Sequence, residues 1–259
     1  EQALQLILQQ VGPVTGESIL LAESCGRVLA EEIFSDLDSP PHDKSMVDGY
    51  AVLRSDLETL PVKLRVQEEV TAGEVPQAPL QPGVATRIMT GAPVPATADA
   101  VVMVEQTQTT SDPDGVEWVE IAEVRLPKSG NIMLQGTSLR AGEAILSPGR
   151  IIRPLEIGLL AEVGRNQVQV SQVPSVAILS TGNELVNVDQ SPQAGQIRNS
   201  NGPLLTALVQ RAGASPVPLG IARDDIDDLR KLVARGLEED VLVLSGGVSA
   251  GVLDLVPQV

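Results

Sequence analysis

The sequence predicts a multidomain fold of the α/β plus β class: an incomplete parallel α/β domain toward the C-terminal end, a small inserted β domain, and a helical and β connector domain. Three observations carry this. From residue 174 onward, short apolar runs alternate with amphipathic helical segments, the pattern of parallel strands joined by crossover helices. Residues 39–130 are rich in Gly, Pro, Thr and Val, with short β-like runs between turns. The flanking segments, 1–38 and 131–171, mix helical periodicity with strands and turns. At 259 residues the chain exceeds the usual size of one domain. The expected division is therefore 1–38 plus 131–171, 39–130, and 172–259.

Each element has a local reason. Leu4, Ile7, Leu8 and Val11 share one helical face, and the apolar positions Leu20, Leu21, Val28, Leu29 and Ile33 continue the helical reading to residue 33. In 39–130 the runs VKLRVQEEV, TRIMTG, AVVMVEQT and VEWVEIAEV predict strands. Residues 139–171 alternate short strands, turns and a short helix. Val176–Leu179 is apolar on both faces, as in a buried parallel strand. A helix follows, with Asn201 as cap, Pro203 in the first turn and Gly213 as stop. SPVPLGI supplies a second strand, Asp224 or Asp225 caps a helix bearing Ile226, Leu229, Val233 and Leu237, and DVLVLS supplies a third strand.

Charge and residue usage exclude whole classes of function. Against 34 Asp and Glu stand 18 Lys and Arg, a net charge of −16 that repels nucleic-acid phosphates and anionic membrane surfaces. No apolar run approaches the roughly 18 residues of a membrane helix. One cysteine and one histidine cannot build a nitrogen and sulfur metal site, so any metal must be a hard cation held by oxygens. Cys25 reads as a small buried thiol, and His42 as an idle loop histidine rather than a general base.

In parallel sheets ligands bind beyond the carboxyl ends of the strands. Two such ends carry matching chemistry here: LSTGNEL after the first strand and LSGGVSAG after the third. Singly, each reads as a tight turn. Together on one sheet edge, with Glu184 and Asp254 beside them, they outline a phosphate cradle in which glycines admit the anion and hydroxyls donate to it.

HDKSMVDGYAV, RIMTGAPVPATADAVVMVEQT, STGNEL, GQIRNSN, GIARDD and LSGGVSAGVLD occur in the order found in the MoeA/gephyrin E-domain family, the molybdopterin molybdenumtransferases, which the chain resembles over essentially its whole length. The resemblance implies a cytoplasmic enzyme of molybdenum cofactor biosynthesis. Such an enzyme inserts molybdate into the dithiolene of adenylylated molybdopterin and releases AMP, with Mg²⁺ required. It also implies an elongated homodimer, the adenylyltransferase that makes the substrate as a partner, and a cleft between the pterin-binding α/β domain and the inserted β domain of the other subunit.

By the same likeness Asp48, Thr90 and Glu184 are the catalytic candidates, and Asp48 and Asp254 the metal ligands. Ser45, Ser180, Thr181, Gly182, Ser245, Gly246, Gly247, Ser249 and Asp224 would bind the pterin cofactor. Lys44 and Arg87 are further anion partners, and Gly49 permits the turn after Asp48. Three departures bear on turnover: Ser138 and Asn199 stand where the family carries Asp, and the chain ends at Val259 inside the α/β domain, which would leave a sheet edge unpaired. The competing expectation is a non-catalytic molybdopterin-binding scaffold of the same fold.

Overall fold

The computed structural model describes residues 2–12 and 14–246. In chain order, α1 (Gln2–Gln10) and β1 (Gly16–Leu20) come first. Then follow β2 (Ile33–Phe34), β3 (Lys44–Ser45), β4 (Gly49–Val52), β5 (Val62–Val70), β6 (Val84–Ile88), β7 (Ala100–Met103), β8 (Gln108–Ser111) and β9 (Glu117–Ile121). β10 (Ile132–Met133) and β11 (Ala144–Leu146) precede α2 (Pro154–Glu162) and β12 (Gln167–Ser171). The remainder comprises β13 (Ser175–Thr181), β14 (Leu185–Val186), β15 (Ile197–Arg198), α3 (Asn201–Arg211), β16 (Ser215–Ala222), α4 (Ile226–Gly236) and β17 (Val241–Ser245). Two compact units divide the chain: Glu1–Glu31, Pro148–Gly158 and Asn166–Val259 form one, Glu32–Ser147 and Leu159–Arg165 the other.

The second unit is built on a six-stranded sheet in the order β7-β4-β6-β5-β9-β8. Only the β5–β6 pair is parallel. All four residues of β4 are buried, because both faces of the sheet are covered. Tyr50 and Val52 face a cluster with Leu64, Val102, Val119 and Ile121, whereas Ala51 faces one with Val70, Ile88, Val101 and Ile132. Gly49 opens β4 opposite Ile88 and Met103. The sequence assigned this glycine to a turn; the structure corrects that, since a Cβ here would collide with the carbonyl of Val102. Close strand approach, not turn geometry, requires it.

The first unit carries a three-stranded parallel sheet, β16-β13-β17, as the alternation from residue 174 predicts. Leu179 of β13 packs with Leu229 of α4, while Ile178 borders Gly202 and Pro203 at the start of α3. Successive strand residues project to opposite faces, so the two helices cover opposite sides. Asp225 caps α4, accepting hydrogen bonds from the backbone of Asp227 and Asp228, one of the two caps expected.

The helical reading of residues 20–33 is overturned. Residues 16–20 form β1, which pairs antiparallel with β12, and Leu29 bridges Val170; a partner some 150 positions away decides the conformation against local spacing. Cys25, expected to be buried, is an exposed free thiol. Glu156 lies in the first turn of α2, where its buried carboxylate accepts from Arg150, from the Arg153 guanidinium and from the Arg153 backbone. The Arg153 guanidinium, and secondarily Arg150, hold this carboxyl at about 2. α1 buries none of its residues, and among the described residues no helix is long and apolar enough to cross a membrane.

Candidate functional site

Parallel register aligns the strand ends from which one candidate site is built. Ser180 lies opposite Ser245 of β17, and Thr181 opposite Ala222 of β16. At these carboxyl ends a cavity of about 140 Å³ is lined by Thr181, Glu184, Arg198, Asn201, Ser245 and Gly246, among others. Thr181 is buried, and its Oγ1 has no hydrogen-bond partner among the described residues. A buried hydroxyl left unpaired costs free energy unless something supplies a partner, which makes this one a candidate contact for a polar ligand.

The walls are held by specific hydrogen bonds. Gly182 adopts φ +141°, and a Cβ there would strike the Glu184 carboxylate, which lies against it. Gly246 packs on Thr181 just as closely, with φ +95°. Asn201 donates from Nδ2 to Ser245 Oγ at 2.9 Å, tying α3 to the tip of β17. The expected capping role of Asn201 is therefore corrected: α3 begins at Asn201, and it is Asn199 Oδ1 that accepts from the Gly202 backbone at 3.0 Å. Asn199 Oδ1 also accepts from Ser180 Oγ at 3.1 Å, so the Ser180 hydroxyl is spent on the frame. Asp224 stands back from the cavity and steadies its rim. Its Oδ2 accepts from Asn183 N at 3.1 Å, and its own N–H donates to Asn183 Oδ1 at 3.3 Å.

Of the residues expected in this cradle, Thr181, Glu184, Ser245 and Gly246 line one cavity, with Gly182 in the turn beside it. Gly247, Ser249 and Asp254 lie outside the described residues. The sequence reading missed Arg198, Ser200 and Asn201 as lining. The available signal was RNSNGP, a polar run opening a helix beside a strand tip, where helix N–H groups face outward.

A separate candidate site lies in the other unit. Asp48 immediately precedes β4, and Thr90 follows the antiparallel β6, so the ladder brings them together. Asp48 Oδ1 accepts from both Thr90 N and Thr90 Oγ1 at 2.7 Å. Its backbone carbonyl accepts from Val104 N at 3.0 Å, fixing the corner from the β7 side. The carboxylate is exposed, with no hydrogen bond recorded to Oδ2 among the described residues. The Thr90 backbone N–H, and then its hydroxyl, hold the Asp48 carboxyl below the ordinary range, so it stays ionised.

The neighbours of this corner have structural tasks. Ser45 is buried and its Oγ donates to Val47 O at 2.6 Å, which makes it a turn former. Lys44 pairs with Met133 and bridges Pro93 through the backbone. Arg87 faces Glu69 at 3.8 Å. His42 is exposed in its loop. Among the described residues no group of three or more His, Cys, Asp or Glu is placed to hold a metal. Magnesium is commonly bound through one or two carboxylates, waters and substrate phosphates, and the exposed Asp48 carboxylate is a donor of that type.

The Asp48–Thr90 contact predicts a pH signature. Because the folded carboxyl titrates below its unfolded value, the stabilisation is present above the ordinary carboxylate range and lost as pH falls through the depressed value. Thr90→Val deletes the hydroxyl and keeps the backbone donor. Carboxyl-carbon NMR titration should show Asp48 titrating at higher pH than in the wild type; an unchanged titration would remove the hydroxyl from this account.

Known proteins resemble this chain over most of its length. Residues 1–164 match the family model described as MoeA N-terminal region (domain I and II), and residues 177–259 the one described as "Probable molybdopterin binding domain". Proteins named molybdopterin molybdenumtransferase from Staphylococcus aureus and Staphylococcus epidermidis are each 35% identical over 266 residues, covering 100% of this chain and 62% of theirs. The chain thus spans about three-fifths of the length of the curated relatives it matches. The crystal structure of molybdopterin biosynthesis MoeA protein from Pyrococcus horikosii superposes with a TM-score of 0.82 at 34% identity, over 95% of this chain and 63% of that one. A second, from Pyrococcus horikoshii OT3, gives 0.76 at 32% identity over 94% and 64%. With residues 1–164 matching the MoeA N-terminal model, more than half of the chain, the chain belongs to the MoeA family.

Proposed function

We propose that this chain is the part of a molybdopterin molybdenumtransferase that binds adenylylated molybdopterin and directs the insertion of molybdate into its dithiolene, with AMP released. The observation that carries the reading is the buried Thr181 hydroxyl, without a hydrogen-bond partner among the described residues, at a cavity at the tips of two parallel strands. A chain of net charge −16 holds anionic reactants only through such local donors or through a bound cation. The strand tips supply the Thr181 hydroxyl and the N-terminal end of α3. Relatives bearing the transferase name cover the whole of this chain.

Within that reading Asp48 is the anionic anchor. Oδ1 is immobilised by Thr90, and Oδ2 is the oxygen that would hold a Mg²⁺ ion or a polarised water. Held there, Mg²⁺ would supply charge neutralisation to the substrate's phosphate. Glu184 is the corresponding carboxylate at the pterin cavity. Asp224 acts as a positioning residue, since its carboxylate is committed to the Asn183 backbone. We place the reaction in the cytoplasm on the family likeness alone.

The same reading makes the protein a homodimer. Leu4, Ile7 and Leu8 on α1, and Val11 just after it, are each more than half exposed, an apolar stripe that a second copy can cover. Sedimentation equilibrium of the full-length protein should give a dimer, and Ile7→Asp should shift it to monomer; a monomeric wild type contradicts the assembly.

The decisive assay is molybdate-dependent AMP release from adenylylated molybdopterin by the full-length protein. Asp48→Asn keeps an acceptor for Thr90 and removes the charge, so release should fall at least about 100-fold with folding intact. Unchanged release would strip Asp48 of its role. A non-catalytic scaffold is the second reading, favoured by Ser138 and Asn199 at positions expected to be acidic. Substrate binding without any release by the wild type selects it.

A further inference from the structure

β8 is an outer strand of the six-stranded sheet and pairs with β9 on one side only. Its register sets Gln108 opposite Glu120 and Ser111 opposite Glu117, and the pairing extends to Asp112, whose N–H donates to Val116 O at 3.0 Å. Antiparallel hydrogen bonds recur at every second residue. Gln108, Thr110 and Asp112 therefore face β9, while Thr109 and Ser111 present N–H and C=O groups outward. These four outward groups have no backbone partner among the described residues, and all four residues of β8 are exposed.

Sheet edges are usually guarded by a lysine, a proline, a bulge or a covering segment. The strand Gln108–Ser111 carries no charge and no proline, and its register with β9 is unbroken. Its flanks are acidic instead. At the start of β8 a cavity of about 440 Å³ is lined by Glu105, Glu120 and Glu123, with Arg125 as the one basic lining residue. Gln106 lines it too, and its Oε1 is shielded from solvent with no hydrogen-bond partner among the described residues. At the other end of the strand, Oε1 of Glu117, the residue opposite Ser111, is in the same condition. Shielded oxygens of this kind cost free energy until an N–H donor reaches them.

We propose that β8 is a docking edge for an extended, lysine-bearing segment of another protein. The segment adds as a further strand along Thr109 and Ser111 and places an ammonium group among Glu105, Glu120 and Glu123, where it donates to Gln106 Oε1. Lysine brings three donors on a stem long enough to reach from a strand into a cavity. A second copy of this chain is the wrong occupant. β8 paired with itself would set the same carboxylates beside one another, with no basic residue in the strand to offset them. None of these residues has a role in the transferase chemistry proposed above.

Amide hydrogen exchange on the full-length protein tests this with a ten-residue probe of alternating threonine and lysine, and a threonine and glutamate counterpart as control. Thr109 and Ser111 should exchange fast in the free protein and at least about tenfold more slowly with the lysine probe alone. Ser111→Pro deletes an outward N–H and no bond to β9, a change an edge strand accepts, and fluorescence anisotropy should show the lysine probe bound about tenfold more weakly. Glu120→Lys should weaken it as much without touching the backbone. Slow exchange at Thr110 reports that β8 stays folded in each variant; should Ser111→Pro lose it, Glu120→Lys decides. No slowing at Thr109 and Ser111, equal binding of the glutamate probe, or unchanged affinity in either folded variant overturns the docking edge. So does slow exchange of Thr109 and Ser111 in the protein alone, which means that its own chain or a second copy already covers them.

Discussion

The parallel register of β13 is the constraint on which the strand-tip site depends. Flanked by β16 and β17, β13 ends level with both, so the loops that follow open on one edge. The start of the strand is pinned as firmly as its end. Ser175 donates from N and Oγ to Asp240 Oδ2 at 2.8 and 3.0 Å, and these two bonds hold the Asp240 carboxyl below its ordinary range. Side-chain alternation has a period of two, so a slip of one residue would turn Thr181 away from the cavity and Ser180 toward it. Burial of β13 on both faces makes that slip costly.

The β domain solves the same problem by a different ladder. There, antiparallel pairing places the start of β4 beside the ends of β6 and β7, and Asp48, Thr90 and Val104 meet at that edge. In both units an acidic residue is made useful by donors from a neighbouring strand. Thr90 fixes and ionises Asp48, and Asn183 engages Asp224. Carboxylates elsewhere are similarly occupied, Glu156 by two arginines. What remains open to an anion is a small set of hydroxyls, amides and guanidinium groups at strand ends.

Much of this was legible in the sequence, and the exceptions have physical causes. The strands and helices from 174 onward were readable because a run buried on both faces, followed by a capped amphipathic helix, is a locally encoded pattern. β5, β7 and β9 fell within their predicted runs, whereas β6 (Val84–Ile88) begins ahead of the TRIMTG run that predicted it. β1 was not readable: its spacing of apolar residues also fits a helix, and its pairing partner is β12 at the far side of the inserted segment. Cys25 was misplaced because exposure is a tertiary property. Gly49 was assigned to a turn because Asp-Gly usually marks one, while the actual requirement, the Val102 carbonyl, comes from another strand. Among site residues, Asp48 with Thr90 and Thr181 with Ser245 were marked by their motifs. Asn199 and Asn201 exchanged roles because which asparagine reaches a helix N–H depends on where the helix begins, and sequence places that only within a residue or two.

The central claim is that a strongly acidic chain grips a phosphate-bearing pterin at the tips of β13 and β17. A crystal structure of the full-length protein with adenylylated molybdopterin tests it most directly. The account predicts the pterin-side phosphate within hydrogen-bonding distance of Thr181 Oγ1 and the α3 N-terminus. A ligand seated away from residues 180–184, 198–202 and 245–246 would contradict it.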